Sequence, residues 1–498
     1  MINRLLTVTL IIAVLLFGSV EIWSSAAIQF LVFTAGLLWV LRREYLAYEI
    51  PVPVRLLFVT VFTFLAYGTL QALPLPAPLI KVLSPLSFQM QSFYSVETRS
   101  MMTISLNAYG TVYDTIKGFA FLTVFAISAA SFSDRDEVNR TLKILTIFGF
   151  SLAVFAIVQK AAWNNGIYWV RNLTLGGSPF GPFVNRNHFA GLMDMLIPLG
   201  LGLALTQQKR EKKILFGFLT VIMAVSLFFS LSRGGIISFF AGITLFTLLM
   251  LQRDRGSRKI WLIGFFVAVV LSYVIYLGVD PIIERFYKTD VSGEERLVVW
   301  SATWNAVRDF WLTGAGLGSF LGIFLLYSPP SIQGGIYDHA HNDYLEFFLE
   351  TGLVGAVFLL TFLSLMIYMV MKTPLRGRSG LLRTAAISSV FTMMVHSIFD
   401  FNLHILSNML VFASVLGMVA GLSGMKEDEE KGGIPLTKKK TRGEQSGKMT
   451  AAMLSRSFTR RKRTTPLFED IETGESKETA SIGGLASEKG PRGGEKNV

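Results

Sequence analysis

The sequence predicts an all-α polytopic membrane protein of about twelve transmembrane helices. Three observations lead there. Of the 498 residues, 52% are hydrophobic and 16% charged, too apolar a balance for a soluble chain of this length. The mean hydropathy is +0.51. The apolar residues also gather in runs of about 17 to 25, the length a helix needs to cross a hydrocarbon core roughly 30 Å thick. Cysteine is absent, which excludes a disulfide framework, a thiolate nucleophile and a cysteine-ligated metal. The net charge of +12 reads as cytoplasmic loops and tail, so no nucleic-acid partner is expected.

The predicted spans run over 5–22, 26–41, 53–73, 113–132, 141–161, 188–206, 213–231, 235–251, 260–279, 342–371, 383–400 and 404–424. Lys and Arg resist translocation, and the clusters at Arg42-Arg43, Arg135 to Arg140, Lys209 to Lys213, Arg253 to Lys259 and Lys372 to Arg383 all fall on one side of a twelve-span chain. That side is the cytoplasm, and both termini lie in it. The loops 74–112, 162–187 and about 280–341 then lie outside. The first span, with Arg4 before it and Ser24-Ser25-Ala26 after it, also admits reading as a cleaved signal peptide. Residues 1–424 form the transmembrane domain. From 425 to 498 the chain turns to Gly, Ser, Thr, Lys and Glu, a disordered basic cytoplasmic tail in which Lys438 to Arg463 reads either as attracting anionic lipid headgroups or as a solvated segment that enforces the topology.

Polar residues of unusual type collect at the outer face. All five histidines (His188, His339, His341, His396 and His404) fall there, as do Arg171, Arg186, Arg233, Arg285, Arg296 and Arg308, against the insertion preference. Charge in that position needs a partner, either an anionic ligand or local ion pairs with Glu284, Glu294, Glu295 and Asp309. Arg233, in Leu231-Ser232-Arg233-Gly234-Gly235, sits between two apolar runs with almost no loop around it. Its planar guanidinium suits phosphate oxygens, or it snorkels to lipid phosphates. Over Glu294 to Trp311, Leu297, Trp300, Trp304, Val307 and Trp311 make one apolar stripe, fit for the membrane interface or for packing on the spans as a lid.

Gly314-Ala315-Gly316-Leu317-Gly318-Ser319 follows no strand, so it reads as a turn between interfacial helices sooner than as a phosphate loop. Asp338 to Asp343 has metal-ligand density, yet it opens a helix that Asn342 and Asp343 can cap. No metal or other cofactor is expected, and His341 is read as a proton acceptor or substrate hydrogen-bonder. A second outer cluster, Asn185-Arg186-Asn187-His188, stands at the mouth of a span. Asp194, six residues deeper, is costly there unless it orients His188 or an arginine.

The stretches FVNRNHFAG, LSRGGIISFFAG and HNDYLEFFLETGLVG, with ERLVVW and GAGLGSF between the last two, resemble the O-antigen ligase and O-antigen polymerase superfamily of bacterial envelope glycosyltransferases. The likeness covers about residues 113–424, and the tail has no counterpart in it. It implies a GT-C-type fold in the bacterial inner membrane with its active site facing the periplasm. It also implies transfer of a glycan from undecaprenyl diphosphate to an acceptor hydroxyl, with glycan and lipid acceptors, lipid A-core among them, and membrane lipids as partners. The catalytic residues it implies are Arg233, Arg296 and His341. Around them, Asn185, Arg186, Asn187, His188, Arg308, Asn342 and Glu346 are expected to bind substrate. A diphosphate leaving group already carries the activation, so what the site must supply is charge stabilisation by guanidinium groups and a proton acceptor. Ligase and polymerase share this donor chemistry. A solute (inorganic carbon) transporter is the reading from another class, disfavoured because the unusual charges cluster at the outer surface, with Asp194 the main intramembrane exception, and no inverted pair of broken helices is visible.

Overall fold

The computed structural model describes residues 2–43, 51–94, 99–173, 177–253, 258–278, 291–330, 332, 337–373 and 377–425. The tail, Arg285 and Glu284 lie outside the described residues. The helices are α1 (Ile2–Leu15), α2 (Ile22–Leu41), α3 (Val52–Ala72), α4 (Ala77–Leu83), α5 (Pro85–Phe93), α6 (Ala108–Ser131), α7 (Arg135–Ala161), α8 (Arg186–Thr206), α9 (Arg210–Phe229), α10 (Arg233–Arg253), α11 (Arg258–Leu277), α12 (Val291–Asp309), α13 (Phe320–Tyr327), α14 (Asp343–Lys372), α15 (Gly377–His396) and α16 (Leu406–Gly424). Sheet among the described residues is confined to two antiparallel pairs of two-residue strands, Leu75–Pro76 with Met101–Met102 and Gly166–Ile167 with Arg171–Asn172.

A helix occupies each of the twelve predicted spans, and among the described residues ten helices are long and apolar enough to cross a membrane. The first is shorter than the sequence suggests. α1 stops at Leu15, and the chain turns through Gly18 in a left-handed conformation before α2. Fourteen residues rise only about 21 Å, less than the hydrocarbon thickness.

α8 and α16 form the centre of the bundle, buried along nearly their whole lengths. α8 packs on α7, α9, α10 and α15, while α16 packs on α6 and α15. Small residues bring the backbones together: a methyl added at Gly417 would meet Ser128 Cβ at 2.5 Å and the Ala129 nitrogen at 2.8 Å, and Ala385 lies as close to Gly202.

At one end of the bundle, α12 and α13 build a smaller core of Val299, Ala302, Ala306, Phe310, Phe320, Ile323 and Phe324 against Leu349 of α14. The packed stripe of α12 is therefore Val299, Ala302 and Ala306, continued by Phe310 in the turn after it. Leu297, Trp304 and Trp311 of the predicted stripe are exposed, and only Trp300 and Val307 lie partly buried. Two apolar stripes overlap on this helix, and the smaller side chains allow the closer packing.

α14 breaks at Gly352, whose backbone (φ 62°, ψ −154°) is open only to glycine. The break frees carbonyls, and the loop after α12 takes them. Ala315 N–H donates to Leu349 O at 2.9 Å and Gly316 N–H to Glu350 O at 3.0 Å, while Leu353 N–H donates back to Trp311 O at 2.7 Å. The glycine-rich loop thus spends these N–H groups on α14.

Candidate functional site

The site is built on the turn between α15 and α16, His396 to His404. Asp400 lies at its middle, buried. Its Oδ1 is 3.2 Å from His341 Nδ1 and 3.9 Å from His188 Nε2, and its Oδ2 accepts from Asn187 Nδ2. Arg296 of α12 donates from Nη1 to the Phe399 carbonyl at 3.2 Å. Burial by itself would push the Asp400 carboxyl up. The hydrogen bond and charge of His341, then the charges of His188 and Arg296, outweigh it and hold Asp400 well below the usual carboxylate range. Phe401 packs the histidines: ring centroids of His339, His188 and His341 stand 4.3, 4.8 and 4.9 Å from its own.

His341 precedes the cap of α14. Asn342 accepts from the N–H groups of Tyr344 and Leu345 at 3.1 Å, and the Asp343 N–H reaches Ser397 O at 2.9 Å. This docks the helix start onto the α15–α16 turn. His341 itself is left-handed, φ 50°, a conformation the surrounding contacts must sustain. With Nδ1 on Asp400, its Nε2 is the nitrogen that this contact leaves unengaged. Trp300 Nε1 donates to Ala340 O at 2.9 Å and ties α12 to the same loop.

Behind His341, the first turns of α14 carry three buried carboxylates, Asp343, Glu346 and Glu350. Glu346 Oε1 is 2.7 Å from His339 Nδ1 and 3.4 Å from His404 Nε2, and Oε2 accepts the Ala340 N–H at 2.8 Å. His404 Nδ1 lies 2.9 Å from Asp343 Oδ1. Burial lowers the proton affinity of His404, but the charges of Glu346, Asp343 and Glu350 and the Asp343 hydrogen bond push it up to about 10. The donor atoms of His339, Glu346 and His404 fall within 4.8 Å of one another, a grouping able to hold a metal ion. The same atoms already satisfy one another as an imidazolium–carboxylate network.

The predicted residues divide. Asn187, His188, Arg296, His341, Asn342 and Glu346 come together around Asp400 and His404. Arg233 begins α10, and a methyl on the adjoining Gly234 would lie 2.9 Å from Phe399 Cβ, which places this helix end beside the same turn. Asn185 caps α8 by accepting the Asn187 N–H at 2.9 Å, a structural duty. Arg186 opens that helix and its N–H bonds Ser178 O at 2.7 Å. Arg308 is exposed on the last turn of α12 and stands roughly 18 Å along the helix from Arg296. Arg171 pairs with Glu21 across the ring of Phe17. Asp194 orients neither His188 nor an arginine: its Oδ2 lies 2.8 Å from His396 Nδ1.

Sequence reasoning missed Asp400 and the contact of His396 with Asp194. The signal was the density of polar residues in HSIFDFNLH at the end of an apolar run. No curated protein matches this chain. The family model described as O-Antigen ligase matches residues 218–360, the segment that carries Arg233, Arg296, His341 and Glu346. That match supports placing the chain in the O-antigen ligase/polymerase superfamily, as a membrane enzyme of that type.

Proposed function

We propose that this protein transfers a glycan from undecaprenyl diphosphate to an acceptor hydroxyl at the periplasmic face of the bacterial inner membrane, as an O-antigen ligase does. The observation that carries the reading is the His341–Asp400 pair, flanked by Arg296. Asp400 stays ionised and holds His341 by Nδ1, so that Nε2 accepts the proton of the attacking hydroxyl. The oxygen so activated displaces the diphosphate from the anomeric carbon in a single step, which inverts that centre. Arg296 and Arg233 stabilise the charge that develops on the departing diphosphate.

The lipid chain of the donor has a matching environment. An apolar cavity of about 320 Å³ lies among α3, α6, α14 and α16, lined by Phe64, Phe121, Phe347, Phe358 and Phe412 and reaching His404. The positive-inside pattern of the loops supports a periplasmic site with cytoplasmic termini. The exposed Leu297 and Trp304 of α12, with Trp311 in the turn after it, suit the headgroup region through which a lipid-linked substrate arrives.

The test is the length distribution of undecaprenyl-linked glycans in a strain whose only copy carries Arg296→Ala. Accumulated long chains mean that transfer off the carrier has failed, as a ligase requires. Accumulated single repeats identify a polymerase instead. An unchanged lipid-linked pool with unchanged surface glycan overturns both.

A further inference from the structure

Two polar side chains sit deeper than any the proposed chemistry uses. Asp194 lies two turns into α8 and His396 ends α15, both with 0% exposure. Desolvating an ionisable pair is unfavourable, and apolar side chains would join the two helices at lower cost. Packing alone does not account for the pair.

Its surroundings do. With Asp194 ionised, its carboxylate only accepts hydrogen bonds, so the neutral His396 ring then carries its proton on Nδ1 and Nε2 keeps its lone pair. That Nε2 has no hydrogen-bond partner among the described residues. It faces the first turn of α10, where a methyl on Gly234 would lie 3.3 Å from it, and Gly234 adjoins Arg233. The His396 carbonyl accepts the N–H groups of Phe399 at 2.8 Å and Asp400 at 3.1 Å. Phe399 in turn offers its carbonyl to Arg296, and Asp400 its carboxylate to His341. One residue therefore adjoins the supports of all three residues assigned to chemistry.

We infer that Asp194 and His396 form a positioning dyad. Asp194 fixes the tautomer and tilt of the His396 ring, and that ring holds the 396–400 turn against the start of α10. Arg233, Arg296 and His341 are kept in register by this one buried contact. The inference rests on the roles proposed for those three residues, so its test includes a readout independent of glycan transfer.

Full-length protein labelled with ¹⁵N-histidine in phospholipid nanodiscs has five imidazoles, each assignable by a single His→Gln substitution. His396 is expected to carry its proton on Nδ1. Asp194→Asn is expected to shift the His396 signals and also those of His341, though Asp194 and His341 share no hydrogen bond. With lipid-linked glycan extracted from the native host as donor, the same variant loses about 10²-fold in kcat while KM holds, the pattern of misplacement without lost binding. His396→Gln, which still donates to Asp194, keeps more activity than His396→Leu and stands in if Asp194→Asn does not fold. A wild-type His396 protonated on Nε2 overturns the dyad. So does a variant that moves the His396 signals but leaves those of His341 unmoved, or one with wild-type kcat. If the wild type shows no transfer, the proposed function fails and the spectra still decide the positioning role.

Discussion

His341 meets Asp400 across 59 residues of sequence, with Nδ1 and Oδ1 3.2 Å apart, the histidine at the site mouth and the carboxylate beneath it at 1% side-chain exposure. The pair has the logic of a base held by an orienting acid, and it sets the first expectation. Asp400→Asn should lower transfer by about 10²–10⁴-fold while thermal unfolding stays near that of the wild type, because the amide no longer fixes the ring. A steady-state transfer assay beside a melting curve checks this. Wild-type turnover in Asp400→Asn would remove the carboxylate from the chemistry.

The arginines are expected to separate by position. Arg296→Lys keeps the charge but loses the planar donor fork, and a loss of about 10²-fold in turnover is expected. Arg308→Ala, on an exposed turn away from the cluster, should change turnover less than about twofold, within the range of ordinary surface substitutions. Measuring both variants in one membrane preparation makes the comparison internal.

At Gly352 the expected effect is on stability. Alanine there must enter a glycine-only region, at a cost on the order of 1–3 kcal/mol. Its methyl would also meet Gly314 N and Leu312 O at 2.6 Å. The Gly352→Ala protein should melt several degrees lower in detergent and lose activity with it, since the start of α14 carries the carboxylate row.

His404 gives a pH dependence. Its proton affinity rises from an ordinary value of 6.5 to about 10 in the fold, so its stabilising contribution is complete below about pH 6.5 and is lost as pH climbs through 10. Melting temperatures of wild type and His404→Gln, followed from pH 6 to 10.5, should converge toward the alkaline end, with the wild type higher at the acid end. Parallel curves would mean that the imidazolium network contributes nothing.

Much of the bundle was legible because run length and charge asymmetry are properties of continuous sequence. The clustering of histidines was legible for the same reason, through topology. Asp400 was not, since it sits at the tail of an apolar run that reads as membrane to its end, and its partner has no fixed spacing from it. Asp194 was recognisable as a residue needing a partner, yet nothing local could choose His396 over His188 or an arginine. The break in α14 was hidden too. A glycine in an apolar run is usually helical, and the break is made favourable by groups far off in sequence, the loop from Trp311 to Gly316 and Gln71 of α3, which hydrogen-bond the freed backbone.

That break also divides the labour of the longest helix. Beyond Gly352, residues 353–372 rise about 30 Å, enough to cross the hydrocarbon by themselves, while 343–351 are bolted to the α12–α13 loop. A bilayer that thickens or thins changes the tilt of the first of these pieces. The second belongs to the reactive platform, and the joint between them shields the carboxylate row from the elastic demands of the lipid.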